Sequence, residues 1–75
     1  MDTALIDKNA KAVDTYMRFR ARLEGVEYDL PLSTYEVALR SGVNTFFGVT
    51  VVNGELISDA QQPELLRMWK KMIRS

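Results

Sequence analysis

The sequence predicts a small α+β domain, and three observations predict it. Apolar side chains recur at helical spacing from Thr3 to Glu24. An Asn53-Gly54 pair stands between a β-branched, aromatic run and the apolar Leu56-Ile57, which is the strongest short hairpin signal a sequence carries. A final stretch opened by Pro63 sorts its apolar and basic residues onto opposite helical faces. Composition agrees with a folded chain. Of 75 residues, 47% are apolar and 27% charged, which places the chain among globular rather than disordered sequences and limits it to one small domain, residues 1–75.

The first helix is capped by Asp2 or Thr3 and ended by Gly25. Asp7 with Lys11, and Asp14 with Arg18, are four-residue pairs in the favourable order. Its apolar residues (Leu5, Ile6, Ala10, Ala12, Val13, Tyr16, Met17, Phe19, Ala21, Leu23) cover an arc of about 200° at 3.6 residues per turn. One contact with a small core needs less. Either the helix is sandwiched within the fold or part of the arc faces a second molecule. Asn9 and Arg20 fall near the middle of the arc. Arg20 is read either as a stem lying on apolar surface with its head at the rim, or as an interface arginine.

Val26, Tyr28 and Leu30 alternate with Glu27 and Asp29, the period of a short strand, which Pro31 ends. Ser33 and Glu36 have the spacing of a capping box, and Leu32 and Val37 that of a hydrophobic staple, so a short helix is expected from Ser33 to Gly42. Thr45 to Val52 reads as one strand, with Phe47, Val49 and Val51 on one face and Phe46, Thr50 and Val52 on the other. Gly48 within it marks a bulge or a close backbone approach. Glu55-Leu56-Ile57 returns as the second strand of the hairpin, and Ser58 to Gln62 is a polar linker. In the last helix Leu65, Leu66, Met68, Trp69, Met72 and Ile73 form the face expected in the core.

Several function classes are hard to build from these residues. The chain has no cysteine and no histidine, so thiolate chemistry, disulfides and the commonest metal ligand and general base are excluded. Ser33 and Ser41 lack an activating partner, and no phosphate-cradling glycine loop is present. The expectation is therefore a chain that is not an enzyme and uses no cofactor or metal. The apolar run Phe46–Val52 is far short of the roughly 20 residues of a membrane span, and no secretory leader is evident, so no membrane association and a cytoplasmic location are expected.

Net charge is zero but its distribution is uneven. Glu24, Glu27, Asp29 and Glu36 form an acidic middle, whereas Arg67, Lys70, Lys71 and Arg74 crowd the end. Lys11, Arg18 and Arg22 share the polar face of the first helix, and if the two helices lie side by side these seven cations form a stripe for nucleic-acid phosphates.

The order helix, strand, helix, turn, strand, strand, helix resembles a winged helix-turn-helix, with Asn53-Gly54 at the tip of the wing and Gly42-Val43 in the turn. The resemblance covers about twenty residues and implies a recognition helix starting at Thr45. This chain departs from the pattern there, because Thr45–Val52 are poor helix formers without the long polar side chains that reach base edges.

The expected function is non-catalytic binding to another protein, as a regulator, adaptor or inhibitor of a larger complex of the kind phages and mobile elements encode. Tyr16, Phe19, Arg20 and Leu23 are the candidate partner-binding residues. The alternatives are a DNA-binding transcriptional regulator using the basic residues named above, and a homo-oligomeric structural subunit whose first helix buries against its own copy as a dimer.

Overall fold

The structure, a computed structural model, describes residues 3–74. Three helices and a three-stranded antiparallel sheet follow one another as α1 (Thr3–Glu24), α2 (Leu32–Arg40), β1 (Thr45–Phe46), β2 (Val49–Val52), β3 (Glu55–Asp59) and α3 (Pro63–Arg74). This is the α+β architecture the sequence predicts. Asp2, one of the two expected caps of α1, lies outside the described residues.

The long helix α1 is sandwiched. It packs on α2, on β2 and β3, and on α3. Ile6, Asn9, Ala10, Val13, Tyr16, Arg20 and Ala21 are its buried residues, a single stripe at three- and four-residue spacing. Neighbours on both sides account for the wide apolar arc without a second molecule. Ala12, Met17 and Phe19 are partly buried at the margins of the core, while Leu23 remains half exposed. The helix ends where expected, with Gly25 at φ 71° and the Val26 N–H donating to Ala21 O at 3.0 Å.

Residues 26–31 form no strand. Their alternation is real, but no neighbouring strand is there to pair with, and Val26 is exposed while Tyr28 and Leu30 lie against the core. Side-chain hydrogen bonds fix the segment instead. The Tyr28 hydroxyl bonds the Tyr35 hydroxyl and donates to Asp14 Oδ1 at 3.2 Å, and the Arg18 guanidinium lies 5.1 Å from the Tyr28 ring centroid. Burial is the main reason the Tyr28 and Tyr35 hydroxyls are pushed above the usual tyrosine range.

The start of α2 also differs from the capping-box expectation. The helix begins at Leu32 behind an extended Pro31, whose carbonyl accepts the Thr34 N–H at 3.0 Å, and no side chain caps it. Proline supplies the preset φ and the first acceptor, which places Ser33 and Glu36 inside the helix rather than at its boundary. Tyr35 and Leu39 are the buried residues of α2, with Tyr35 edge-on to Phe46 at 5.2 Å between ring centroids. Gly42 ends the helix, and Val43 begins a loop rather than the turn of a helix-turn-helix. Thr45 opens β1, so the winged-helix resemblance fails at the element that would read DNA.

The expected Thr45–Val52 strand is two strands. Phe47-Gly48 makes a tight turn, with φ 51° and 85°, and Phe46 pairs with Val49 across it. Two turn residues reset the alternation. Phe46 joins Val49 and Val51 in the core, and Phe47 stands exposed at the turn. A Cβ on Gly48 would come within 2.7 Å of Gln61 Cγ, so the Gln61 side chain would have to shift to admit one. Asn53-Gly54 forms the predicted second turn between β2 and β3.

The β2–β3 ladder carries an irregularity. Thr50 faces Ser58 but Val51 faces Leu56, so Ile57 is the extra residue of a bulge. The bulge spaces the inward positions of β3 by three residues instead of two. Leu56 and Asp59 both turn inward, and Ile57 turns out. The supposed polar linker thus delivers a carboxylate into the core.

Candidate functional site

Two places concentrate polar chemistry: a closed network around Asp59 and an open cleft beside it. Asp59 is 3% exposed. Its Oδ2 accepts the Tyr16 hydroxyl at 2.7 Å and pairs with Arg20 Nη1 at 3.2 Å. Its Oδ1 accepts the backbone N–H groups of Gln61 and Gln62 at 2.9 and 2.8 Å, turning the chain into α3. Arg20 further donates to Phe47 O at 3.3 Å and to Gln61 Oε1 at 3.4 Å, leaving its buried Nε with no partner among the described residues. Burial, then the bond to Asp59, pushes the Tyr16 hydroxyl far above its ordinary pKa, so it stays neutral and is no general base near neutral pH. The network pins α1 to the first turn and to the β3–α3 corner.

Two of the four candidate partner-binding residues are therefore committed inside the molecule. Tyr16 is fully buried and Arg20 is 7% exposed. The arginine is not at the rim, and its carboxylate partner comes from the same chain. Phe19 packs on Trp69 at 5.3 Å between ring centroids and shows only its outer edge, and Leu23 is half exposed beyond it.

The cleft lies between α1, β3 and α3. It encloses about 560 Å³, walled by Lys8, Lys11, Ala12 and Thr15 from α1, Gly54 to Ile57 from the hairpin, and Trp69, Lys70, Ile73 and Arg74 from α3. The hairpin is held against α1 by buried Asn9, whose Oδ1 accepts the Gly54 N–H. A side chain at position 54 would collide with the Lys8 stem. A smaller recess of about 230 Å³ continues along the same helix pair, lined by Thr15, Arg18, Phe19, Arg22, Trp69 and Met72. Trp69 borders both and is anchored by Tyr16 and Phe19.

This groove is where most of the predicted basic residues meet. Lys11, Lys70 and Arg74 border the cleft, with Arg18 and Arg22 at the recess. Arg67 pairs with Glu64 away from it, and Lys71 is not among its lining residues. Lys11 and Arg18 have carboxylates beside them, Asp7 and Asp14, both at 3.0 Å, and the latter contact raises the already high pKa of Arg18. Lys8, Lys70 and Arg74 form no ion pair with a carboxylate among the described residues.

The apolar face of α3 does not go where the sequence placed it. Leu66 is buried and Leu65 and Trp69 partly so, but Met68, Met72 and Ile73 are more than half exposed. The helix packs on β3 and α1, and these leave the three side chains in solvent. Ile57, turned out by the bulge, adds to the same exposed apolar surface at the cleft. Sequence reasoning missed Lys8, Ile57 and Asp59. The first two depend on where the hairpin lands on α1. Asp59 has one legible signal, an aspartate just ahead of a proline-started helix.

The groove offers cations, an indole and aliphatic walls, which suits an anionic ligand with apolar anchors. Among the described residues no three carboxylates cluster to hold a metal ion, and no helix is long and apolar enough to cross a membrane. Comparison with protein-family models, curated proteins and solved structures finds no match to this chain.

Proposed function

We propose that this chain acts without catalysis, by binding another protein through the α1–α3 groove. The observation that carries the reading is the apolar surface of Ile57 and Ile73, 53% and 58% exposed, beside the half-buried Trp69 and flanked by Lys8, Lys11, Lys70 and Arg74. A small protein gains nothing in stability from leaving such residues in water, and apolar centres ringed by charge are the anatomy of interfaces. The partner is one that presents apolar side chains among carboxylates, and a regulator, adaptor or inhibitor of a larger assembly is the role this fits. Capture from an extract of the source organism with wild type and with Ile73→Glu tests it. A protein held by the wild type and lost by the variant supports the reading. Identical sets of retained proteins would contradict it.

A second reading rests on the same cations. Lys11, Arg18, Arg22, Lys70 and Arg74 lie along one groove with a tryptophan in it, an arrangement that also suits single-stranded nucleic acid. It predicts micromolar binding to labelled oligonucleotides that falls steeply between about 50 and 200 mM salt. The neutral total charge favours the protein partner.

A further inference from the structure

Zero net charge with the two signs kept apart makes a molecule complementary to its own copy. The acidic side of this chain is the end of α1 and the segment after it. Glu24, Glu27 and Asp29 are exposed there, form no ion pair among the described residues, and alternate with the exposed Leu23 and Val26, 50% and 58% accessible. The basic side is the α1–α3 cleft, with Lys8, Lys70 and Arg74. The sides are complementary in charge: three carboxylates with apolar side chains on one, and on the other the cations Lys8, Lys11, Lys70 and Arg74 around an indole and two isoleucines, where Glu55 is the one lining carboxylate.

The two cannot meet within one chain. About 20 Å of helix separates Lys11 from Glu24. The acidic segment is held at its own end of the molecule by the Val26 N–H to Ala21 O bond and by the bonds of the Tyr28 hydroxyl to Asp14 and Tyr35. A second copy is free of that tether. Residues 26–30 also carry a strand-like alternation that finds no strand to pair with in the fold, while β3, at the cleft, has a strand neighbour on one side only.

We propose that the groove is occupied by residues 23–30 of a second copy of this chain, in a closed two-fold dimer where each copy's acidic segment sits in the other's basic cleft. The inference rests on the groove being a protein-binding surface, and names its occupant. A two-fold arrangement satisfies both grooves at once and leaves none for a third molecule. The dimer contact is electrostatic at its rim, so it weakens as salt screens it.

Sedimentation of the wild type from micromolar to millimolar concentration, at about 50 and 300 mM salt, reads the assembly directly. A concentration-dependent dimer that loosens at the higher salt is expected. Glu27→Lys and Lys70→Glu each reverse one exposed charge. Each acts twice in a two-fold dimer, so each alone should weaken dimerisation by about tenfold or more. Mixed in equal amounts, the two variants should form a heterodimer near wild-type affinity. Glu36→Lys and Arg40→Glu change the net charge equally but belong neither to the groove lining nor to residues 23–30, and mixing them should gain nothing over wild type. A wild type monomeric throughout overturns the inference. So does a dimer indifferent to the Glu27 and Lys70 reversals, or a control pair that gains as much as the test pair. The protein-binding reading fails separately, by its own capture experiment. A monomer whose groove still retains a foreign protein would end this inference and leave that reading standing.

Discussion

The Asp59 network and the α1–α3 groove are built from the same materials and reach opposite states. Both set an aromatic ring of the Tyr16–Phe19–Trp69 cluster beside cationic side chains of α1. At Asp59 the cation, the carboxylate and the hydroxyl close on one another at 2.7 to 3.2 Å and exclude water. In the groove Lys11 has only a solvent-exposed pair with Asp7, Lys8, Lys70 and Arg74 have no carboxylate paired with them among the described residues, and the aliphatic side chains stay wet. Burial without a partner is costly, so the first region has to be complete for the chain to fold. Exposure without a partner costs little for a charge, so the second region can wait for a ligand. Similar side chains therefore mean stability in one place and, on the proposed reading, recognition in the other.

The comparison breaks first at Asp59. Asp59→Ala strands Arg20 and removes the acceptor for the Gln61 and Gln62 N–H groups, at an expected cost of about 3–5 kcal/mol. A domain of this size has about 5 kcal/mol or little more to lose, so the variant should be largely unfolded by circular dichroism at room temperature. Retention of a wild-type melt would mean the network is an ornament of the fold.

Gly48→Ala is next. It combines a φ of 85° with a Cβ pressed against Gln61, the residue that also bonds Arg20. About 1–3 kcal/mol of destabilisation is expected, read from urea unfolding.

Alkaline pH gives a milder, graded test. Burial holds the Tyr16, Tyr28 and Tyr35 hydroxyls protonated above the ordinary value of 10.0. The unfolded chain releases those protons first, so this contribution to stability is complete below about pH 10 and is lost as pH rises beyond it. The melting temperature should fall between pH 9 and 11.5, and less steeply in Tyr28→Phe.

The smallest effect sharpens the contrast from the other side. Ile73→Glu should leave stability within about 0.5 kcal/mol of wild type, because the side chain it replaces is already in water. A large loss would make Ile73 core and remove the groove as a recognition surface.

How much of this was legible in the sequence depended on whether a feature was local. Helical periodicity, the Gly25 and Gly42 stops and the Asn53-Gly54 turn are properties of a few neighbouring residues, and all are found. The Phe47-Gly48 turn was hidden because phenylalanine seldom takes a positive φ, so the stretch reads as one strand. Val26–Leu30 has a strand's pattern, but pattern alone supplies no partner. The capping box lost to the proline ahead of it. The Ile57 bulge has no sequence signal, and without it period two sends Asp59 outward and leaves Arg20 looking like an interface residue. The groove was half legible. The two basic rows could be read, and their meeting could be stated only conditionally, but the exposure of Met68, Met72 and Ile73 follows from how α3 is set against β3 and α1, which no local pattern fixes.

The most direct measurement of the groove's role is site-specific photo-crosslinking in living cells, with the reactive side chain placed at Ile73 in one strain and at Glu36 in another. A covalent adduct from position 73 and none from position 36 is expected. An adduct at twice the mass of the chain would identify a second copy, and any other mass a foreign partner. Adducts from position 36 with none from position 73 would contradict the account, because the binding surface would then lie on α2 and the groove would be an unfilled part of the fold.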